Sequence, residues 1–436
     1  MMYPEREAGG ATDARLPHMS SILKTAQSFD FQSLLLAEIA VRVQLPPSRH
    51  AIAEERYHTL SDWIDRPGSP LEGRVPRVYA QGSMAIGATI ASCRRNDEFD
   101  IDALAELDLA PETSPRRVLD LLYEAIRGER GSRYYGMTER CTRCVQVQYS
   151  DDMHVDITPT ILRPLRPDRE GFIFHANPEK PVFEDRRIIA NPYGFAEWFK
   201  LSTPADMDFA LEFAQLSRES DYMVAIEAAE TEPVPVPTAV YEKSRALVAL
   251  QLVKRWRNIR YDNRQGRSPP SVLLAKLMAD NANRTMSLYQ ELLHQAKQLK
   301  LFFETAQIAS RLVQVQNPVC SSDIFSDRWP EDLQAQRVFV DDLRDFSVKL
   351  EKLASCGAVQ AKEICMDLFG ETPTLNALNK VNERYGRAIS SGHTYHDRKT
   401  GSIQARTSGI ITTASAPLSV AHTPSHRFYG GDITDV

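Results

Sequence analysis

Apolar residues recur with two different periods along the chain. From about residue 20 to residue 45 they follow the spacing of a helix, and a second helix is predicted from Pro46 and Pro47 towards Ile64. Between residues 77 and 160, short β-type runs alternate with glycine-rich or helical stretches, at 78–80, 98–107, 145–149 and 154–161. We expect an antiparallel or mixed sheet there, with a helix that begins at Ser114 and Pro115.

The pattern becomes almost wholly helical after a proline-alternating break at residues 233–237. Helices are predicted near 238–261, 270–280, 284–314, 331–355 and 358–369, and the last segment is polar and rich in Ser and Thr. We therefore divide the chain into a flexible N-terminus (1–19), an α/β domain with N-terminal helices (20–236), a helical domain (237–388) and a flexible tail (389–436).

Composition narrows the classes of function. The chain has 436 residues and a formal net charge of −6, which disfavours a protein that grips long nucleic acid and suits a small anionic substrate. It contains no apolar run of 18 residues, and its start lacks the apolar core of a signal peptide. Because the six cysteines show no framework spacing, we expect reduced thiols and a cytoplasmic protein with no membrane span.

Three carboxylates in strand-like contexts are the central chemical feature. Asp100 and Asp102 alternate with apolar residues, so both should lie on one face of a strand. Asp156 lies between two apolar residues in a second strand and could bring a third carboxylate alongside. Such oxygen ligands suit Mg²⁺, and three of them can hold two ions for phosphoryl transfer.

A glycine-containing turn, Gln81-Gly82-Ser83, precedes Asp100 by about 18 residues. We expect it between a strand and a helix, where backbone N–H groups and the Ser83 hydroxyl can bind phosphate. An isolated Asp-x-Asp or Gly-Ser is usually an ordinary strand edge or turn. Their order, followed by Asp156 some 54 residues later, is hard to obtain by chance and indicates a nucleotidyl transfer site.

This order resembles the DNA polymerase β-like nucleotidyltransferase superfamily. The string from Gln81 to Ser83 together with residues 98–102 looks like its bacterial cGAS/DncV-like branch, the CD-NTases. The resemblance implies an α+β fold in which a polymerase β-like domain with a mixed sheet packs on a C-terminal all-helical domain, giving two lobes.

The same resemblance implies an activity. The enzyme would use two Mg²⁺ ions, or Mn²⁺, to join NTPs, ATP or GTP, into a cyclic di- or trinucleotide second messenger in anti-phage (CBASS) signalling. The bases, the 2′–5′ or 3′–5′ linkage and the ring size stay open. The resemblance further implies that the C-terminus is joined to, or docks on, a ubiquitin-transfer-like ancillary protein.

A basic run extends the resemblance into the helical half. Residues 254–267 hold six basic residues, a pattern that alone is typical of a solvated surface: Lys254, Arg255, Arg257, Arg260, Arg264 and Arg267. In the family, a Lys on such a helix and a Ser at the start of the next helix hold the donor triphosphate. Lys254 and Ser271 match those two positions.

Two other classes of function compete with this interpretation, and the first of them shares the same carboxylates. A template-independent RNA nucleotidyltransferase, for terminal or tRNA addition, should need an RNA primer and a long basic track, and the sequence pI of about 6.0 argues against it. A catalytically silent nucleotide-binding module has no need of three carboxylates, and all three are present.

Overall fold

A computed structural model describes residues 30–91, 99–151, 153–165, 169–228, 243–390, 394–396 and 403–405. Residues 29–384 form one compact unit, and residues 1–28 and 385–436 form another. The proposed domain boundary at 233–237, the N-terminus 1–19 and most of the tail from residue 389 lie outside the described residues. Along the described ranges, no helix combines the length and apolarity that crossing a membrane requires.

A mixed seven-stranded sheet lies in the first half of the compact unit. Its order is β1-β2-β5-β4-β3, with β6 pairing β5 and β7. The pairing of β2 with β5 is parallel, whereas the other pairings within this sheet are antiparallel. The strands are β1 Arg77–Ala80, β2 Phe99–Glu106, β3 Thr138–Arg140, β4 Val145–Gln148, β5 Met153–Leu162, β6 Gly171–His175 and β7 Arg186–Ala190. The expected mixed sheet is confirmed.

In the second half of the unit, the described residues form helices and one short hairpin. The described α-helices of both halves are α1 Phe31–Val43, α2 Pro47–Ile64, α3 Gly82–Ala85, α4 Pro115–Arg127, α5 Pro192–Ser202, α6 Met207–Ala228, α7 Arg245–Tyr261, α8 Ser271–Asp280, α9 Leu288–Ile308, α10 Leu333–Leu353, α11 Ala358–Phe369 and α12 Glu371–Ser390. Helix α12 continues past residue 384, where the compact unit ends. Helices α7 to α11 match the five expected helices. The hairpin, β8 Gln316–Asn317 with β9 Cys320–Ile324, was not expected from the pattern.

The second unit has one described hairpin. Strand β10, Thr394–His396, pairs antiparallel with β11, Ile403–Ala405. It lies within the segment that the sequence pattern assigns to the tail.

The two faces of the sheet differ in chemistry because side chains alternate along each strand. On one face, Ile101 of β2 and Val155 and Ile157 of β5 join an apolar core with α2 and α4. Helix α4 begins where the sequence predicts, with the Ser114 side chain accepting from the Arg117 N–H at 3.4 Å. The opposite face, which we call the carboxylate face, carries the polar residues of the same strands.

Helix α7 lies at the centre of the helical half. It packs against α1, α8, α9 and α11, and residues 245–257 are buried. Trp256 on α7 stacks on Phe346 of α10, with ring centroids 4.3 Å apart. The polar side chains of α7 therefore lie inside the protein, where each one needs a hydrogen-bond partner.

The basic run begins on α7 and continues beyond its end, and most of its members have partners inside the protein. Arg255 Nε donates to the Phe369 carbonyl at 3.1 Å. Arg260 pairs with Asp345 and Asp367, and Arg264 pairs with Asp342. Much of the run thus ties α7 to α10 and α11.

Candidate active site

Asp102 and Asp156 lie directly opposite each other on the carboxylate face. The parallel register of β2 and β5 pairs Asp102 with Asp156, so neighbouring backbones place the two carboxylates about 5 Å apart at their roots. Both side chains are partly buried. Two like charges at this separation repel unless a cation lies between them. The expected convergence of the second and third carboxylates is thus present in the geometry.

Asp100 precedes Asp102 by two residues on β2, and its backbone pairs with that of His154. One residue, Ile101, separates the two aspartates on this strand. The side chain of Asp100 lies outside the described part of the structure.

Gly82 is the first residue of α3, at the turn that follows β1, and lies against the Asp102 carboxylate. Its φ is +55°, a left-handed conformation that L side chains rarely adopt. A Cβ at this position would lie 2.6 Å from Asp102 Oδ2. Two features therefore require glycine at this position: the left-handed backbone and the close approach of the Asp102 carboxylate.

Gln81 joins this turn to both carboxylate strands. Its backbone N–H donates to the Asp102 carbonyl at 2.9 Å, and its side chain donates to the Thr158 hydroxyl at 3.0 Å. Thr158 follows Asp156 by two residues and shares its face. The turn is thereby held in a fixed position beside the carboxylate pair.

Lys254 reaches from α7 to the same turn. Its ammonium group donates to Ser83 Oγ at 2.7 Å and to the Ala88 carbonyl at 2.6 Å, and the residue is 4 % exposed. The structure therefore brings Lys254 and Ser83 together, 171 residues apart in the chain. It also places a positive charge next to the turn that is expected to bind phosphate.

Ser271 lies in the first turn of α8. Its hydroxyl accepts from Arg257 Nη1 at 3.0 Å, and the same nitrogen donates to the Pro269 carbonyl at 2.6 Å. Helix α8 packs against both α3 and α5. The structure thus positions Ser271 through Arg257, a role for this arginine that the sequence did not reveal.

Two further residues that the sequence analysis missed hold the segment after α3. Gln251 of α7 is fully buried and donates to the Thr89 carbonyl at 3.2 Å. Lys243 donates to the Gly87 carbonyl at 2.5 Å. Neither residue belongs to a motif, so its role is visible only in the folded chain.

Asp156 has neutral neighbours on β4. Gln146 lies opposite Asp156 and donates to its Oδ1 at 2.9 Å. Asp156 also lies near the Cys144 thiol: the interaction with Cys141, burial and the Asp156 charge together raise the pKa of this thiol. The alternation Val145-Gln146-Val147-Gln148 could have placed Gln146 on the polar face.

The donor set fits a hard divalent cation. The Asp102 and Asp156 pair offers carboxylate oxygens on adjacent strands, the ligand type that Mg²⁺ and Mn²⁺ prefer. Within the part of the chain whose side chains are described, no three His, Cys, Asp or Glu groups are already gathered as a metal site. The third carboxylate of the expected set is Asp100, which that part does not include.

Comparison with known proteins finds a matching family model and two similar proteins. The family model for the Second Messenger Oligonucleotide or Dinucleotide Synthetase domain matches residues 32–172. The cyclic dinucleotide synthase CdnG of Bradyrhizobium diazoefficiens is 37% identical over 396 residues, 89% of this chain and 93% of that protein. A c-di-GMP synthase of Roseivirga ehrenbergii is 23% identical over 366 residues, 81% of this chain and 89% of that protein.

A solved structure agrees with these sequence matches. The CD-NTase CdnG of Bradyrhizobium diazoefficiens, in complex with GTP, superposes with a TM-score of 0.70 at 36% identity, covering 80% of this chain and 98% of that one. CD-NTases bind NTPs and generally use divalent metal ions. The chain belongs to the CD-NTases, the nucleotidyltransferases that make cyclic oligonucleotides.

Proposed function

We propose that Asp100, Asp102 and Asp156 form the catalytic site with which this CD-NTase joins two NTPs into a cyclic dinucleotide. The observation that carries the proposal is the direct pairing of Asp102 with Asp156 beneath the Gly82 turn. The ribose hydroxyl of one nucleotide attacks the α-phosphorus of the other, pyrophosphate leaves, and a second such step closes the ring. Catalysis rests mainly on positioning and charge stabilisation.

The three carboxylates would hold two Mg²⁺ ions, with Mn²⁺ as an alternative. When bound, such ions neutralise the triphosphate and make the attacking hydroxyl more acidic. Asp100 and Asp102 would bind both ions, whereas Asp156 would bind one of them and help activate the attacking hydroxyl. Gln146 restricts the rotation of Asp156 by occupying its Oδ1.

The donor triphosphate lies against the Gly82 turn. Gly82 and Ser83 offer backbone N–H groups and a hydroxyl, Gln81 holds the turn in place, and the Lys254 ammonium group beside Ser83 adds a positive charge. The Ser271 hydroxyl, at the start of α8, would add a further contact to the triphosphate. These contacts bind a triphosphate without reading the base.

Guanine is the base that we propose for at least one substrate, with ATP or GTP as its partner. The support is that one relative is a c-di-GMP synthase and that another was solved with GTP. We further propose a cytoplasmic location, where NTPs and Mg²⁺ are available. No long nucleic acid is required in this scheme.

The decisive experiment is product identification. Purified protein with GTP, or with GTP and ATP, and Mg²⁺ or Mn²⁺ should give a product that resists phosphatase and has the mass of a cyclic dinucleotide. The Asp102→Asn and Asp156→Asn variants should each lose pyrophosphate release by about 100-fold or more, because the amide cannot replace a charged oxygen ligand.

The control for these variants is Asp341→Asn, which changes an exposed carboxylate on α10 and should leave the rate unchanged. Mn²⁺ binding, followed by electron paramagnetic resonance, should weaken in the two site variants only. A linear product alone, or full activity in Asp102→Asn, would contradict the proposed function.

Gly82→Ala should lower kcat/KM by about 10-fold or more, because the added methyl group displaces the Asp102 carboxylate and small misplacements are costly in catalysis. The matched control is Gly73→Ala. Gly73 has a similar φ of +67° but nothing within 4 Å of its Cβ position, so it suffers the same backbone strain without the clash. Equal loss of activity in both variants would show that the contact with Asp102 is irrelevant.

Lys254→Met should raise the KM for NTPs by about 10-fold, since the methionine keeps the stem but removes the charge beside Ser83. It should also lower Tm, because two buried hydrogen bonds are lost. Gln251→Met is the comparison, since it removes a buried bond to the same segment without a change in charge. It should lower Tm with little change in KM; an equal rise in KM for both variants would reduce Lys254 to a structural role.

We also propose a role in anti-phage (CBASS) signalling, with the C-terminus joined to or docked on a ubiquitin-transfer-like ancillary protein. The support is family membership and the pair Phe428 and Tyr429 in an otherwise polar end, which lies outside the described residues. Cells carrying the native operon should resist phage, and the Asp102→Asn operon should not. Mass spectrometry of the native protein should find C-terminal peptides extended or cross-linked at Val436; finding free ends alone would argue against conjugation.

A further inference from the structure

Two cysteines face each other at the end of the hairpin that joins β3 to β4. The register of these strands ends with Arg140 opposite Val145, and one step further the Cys141 N–H donates to the Cys144 carbonyl at 3.0 Å. Residues directly opposite in an antiparallel pair have their side chains on the same face. The side chains of Cys141 and Cys144 therefore lie together, across a turn of only two residues.

The separation of the two cysteines suits a disulfide bond. Residues paired in this way across an antiparallel hairpin have Cα atoms about 5.5 Å apart, and disulfides join Cα atoms that are about 4.4 to 6.8 Å apart. Both cysteines are free thiols of intermediate exposure, and their side chains interact with each other. The pair, which we call the dithiol, is thus reduced and within reach of solvent.

The backbone around the dithiol is fixed by neighbouring segments. The Ala176 N–H donates to the Thr142 carbonyl at 3.0 Å, and Arg140 Nη1 donates to the Ala176 carbonyl at 3.0 Å. Arg143, at the tip of the turn, pairs with Asp327 at 3.2 Å. Because this backbone is already ordered, joining the two sulfur atoms has a small cost in conformational entropy.

The dithiol adjoins the third carboxylate of the proposed site. Gln146 is opposite Asp156, and Cys144 precedes Gln146 by two residues, so the Cys144 side chain lies on the same carboxylate face. The Asp156 charge acts on both thiols. Among the side chains that the structure describes, no three metal-ligating groups are gathered, so the dithiol there is not half of a zinc site.

We propose that Cys141 and Cys144 form an oxidation site for hydroperoxides, where a reversible disulfide slows nucleotidyl transfer. The inference rests on the proposed function and adds regulation to the same site. A covalent bond draws Cys144 towards β3, and Gln146 on the same strand moves with it. The contact that changes is the 2.9 Å hydrogen bond from Gln146 to Asp156 Oδ1, and small misplacements at a reacting centre are costly.

The reaction needs only the two thiols and one hydroperoxide. The sulfur of one cysteine attacks a peroxide oxygen, the O–O bond breaks, and a sulfenic acid and an alcohol form, or water in the case of hydrogen peroxide. The second sulfur attacks the sulfenic sulfur, the S–S bond forms, the S–O bond breaks and water leaves. The two sulfurs lose two electrons, which reduce the peroxide, and both thiol protons pass to the products. A dithiol reductant reverses the reaction by exchange.

The first part of the experiment detects the bond without measuring activity. The full-length protein is treated with hydrogen peroxide and digested with trypsin without reduction. Cleavage after Arg140 and Arg143 separates the two cysteines, so the disulfide appears as residues 141–143 linked to the peptide that begins at Cys144. We expect this linked peptide after oxidation and its loss after dithiothreitol. Phenylarsine oxide, which bridges two neighbouring thiols, should prevent its formation.

The second part measures pyrophosphate release from GTP, or from GTP and ATP. Oxidation should lower kcat by about 10-fold or more, and dithiothreitol should restore it. The KM for GTP should change by less than about twofold, because β1 and its Gly82 turn are on the other side of β5 from β4. Cys141→Ser keeps the size of the side chain but forms no disulfide, so it should retain its activity in peroxide.

Two further variants test the other thiols. Cys356 is of intermediate exposure and interacts with Cys365, so a second disulfide could form there. Cys93 lies outside the described residues. Cys356→Ser and Cys93→Ser should both lose kcat in peroxide as the wild type does. Protection by either of them, in place of Cys141→Ser, would assign the effect to another thiol and overturn the proposal.

The Tm of each variant reports its folding. If Cys141→Ser is unfolded, Cys144→Ser removes the same bond from the other strand, and its rate in peroxide is compared with its own reduced rate. No linked peptide, an unchanged kcat in fully linked protein, or an equal loss in Cys141→Ser would overturn the proposal while leaving the reduced enzyme a cyclic dinucleotide synthase. If the reduced wild type makes no cyclic product, the proposed function fails, even where the linked peptide forms.

Discussion

The parallel register between β2 and β5 is the constraint on which the site depends. Because side chains alternate along a strand, a slip of one residue in this pairing would turn Asp156 into the core and bring an apolar residue beside Asp102. Ile101 and Val155 prevent that slip, since they are fully buried on the opposite face. Two carboxylates about 5 Å apart repel by roughly 3 kcal/mol at an effective dielectric constant of about 20. The apolar core therefore holds together a charge pair that would otherwise separate, and a divalent cation bound between the carboxylates would relieve the repulsion.

The helical half contributes to the same site through α7. Gln251 and Lys254 lie one turn apart on this helix, and both donate to the segment that follows the Gly82 turn. Lys254 also binds Ser83 itself. A buried ammonium group is tolerated only where acceptors surround it, so the turn and the helix stabilise each other. The Gly82 turn is thus held from both halves of the compact unit rather than by the sheet alone.

The sequence predicted the parts of this arrangement that depend on local pattern. Strands β2 and β5 alternate clearly, and this alternation was enough to place Asp102 and Asp156 on polar positions. Strand β3 is only three residues long, and β6 reads as a short apolar run, so neither could be recognised from period alone. The role of the basic run at residues 254–267 could not be predicted, for a different reason. The carboxylate partners of Arg260 and Arg264, such as Asp342 for Arg264, lie 78 or more residues away, and no local pattern distinguishes an ion pair of this kind from a solvated charge.

The surroundings of the two carboxylates differ in charge, and this difference supports the proposed division of roles between them. The Gly82 turn lies against Asp102, and the Lys254 ammonium group donates to Ser83 in the same turn. On the other strand, Asp156 accepts a hydrogen bond from the neutral amide of Gln146. A triphosphate at this carboxylate pair would therefore find its counter-charge on the Asp102 side, which is why we assign the donor nucleotide to that side. The attacking hydroxyl needs orientation rather than counter-charge, and Asp156, held by Gln146, suits that part of the proposed function.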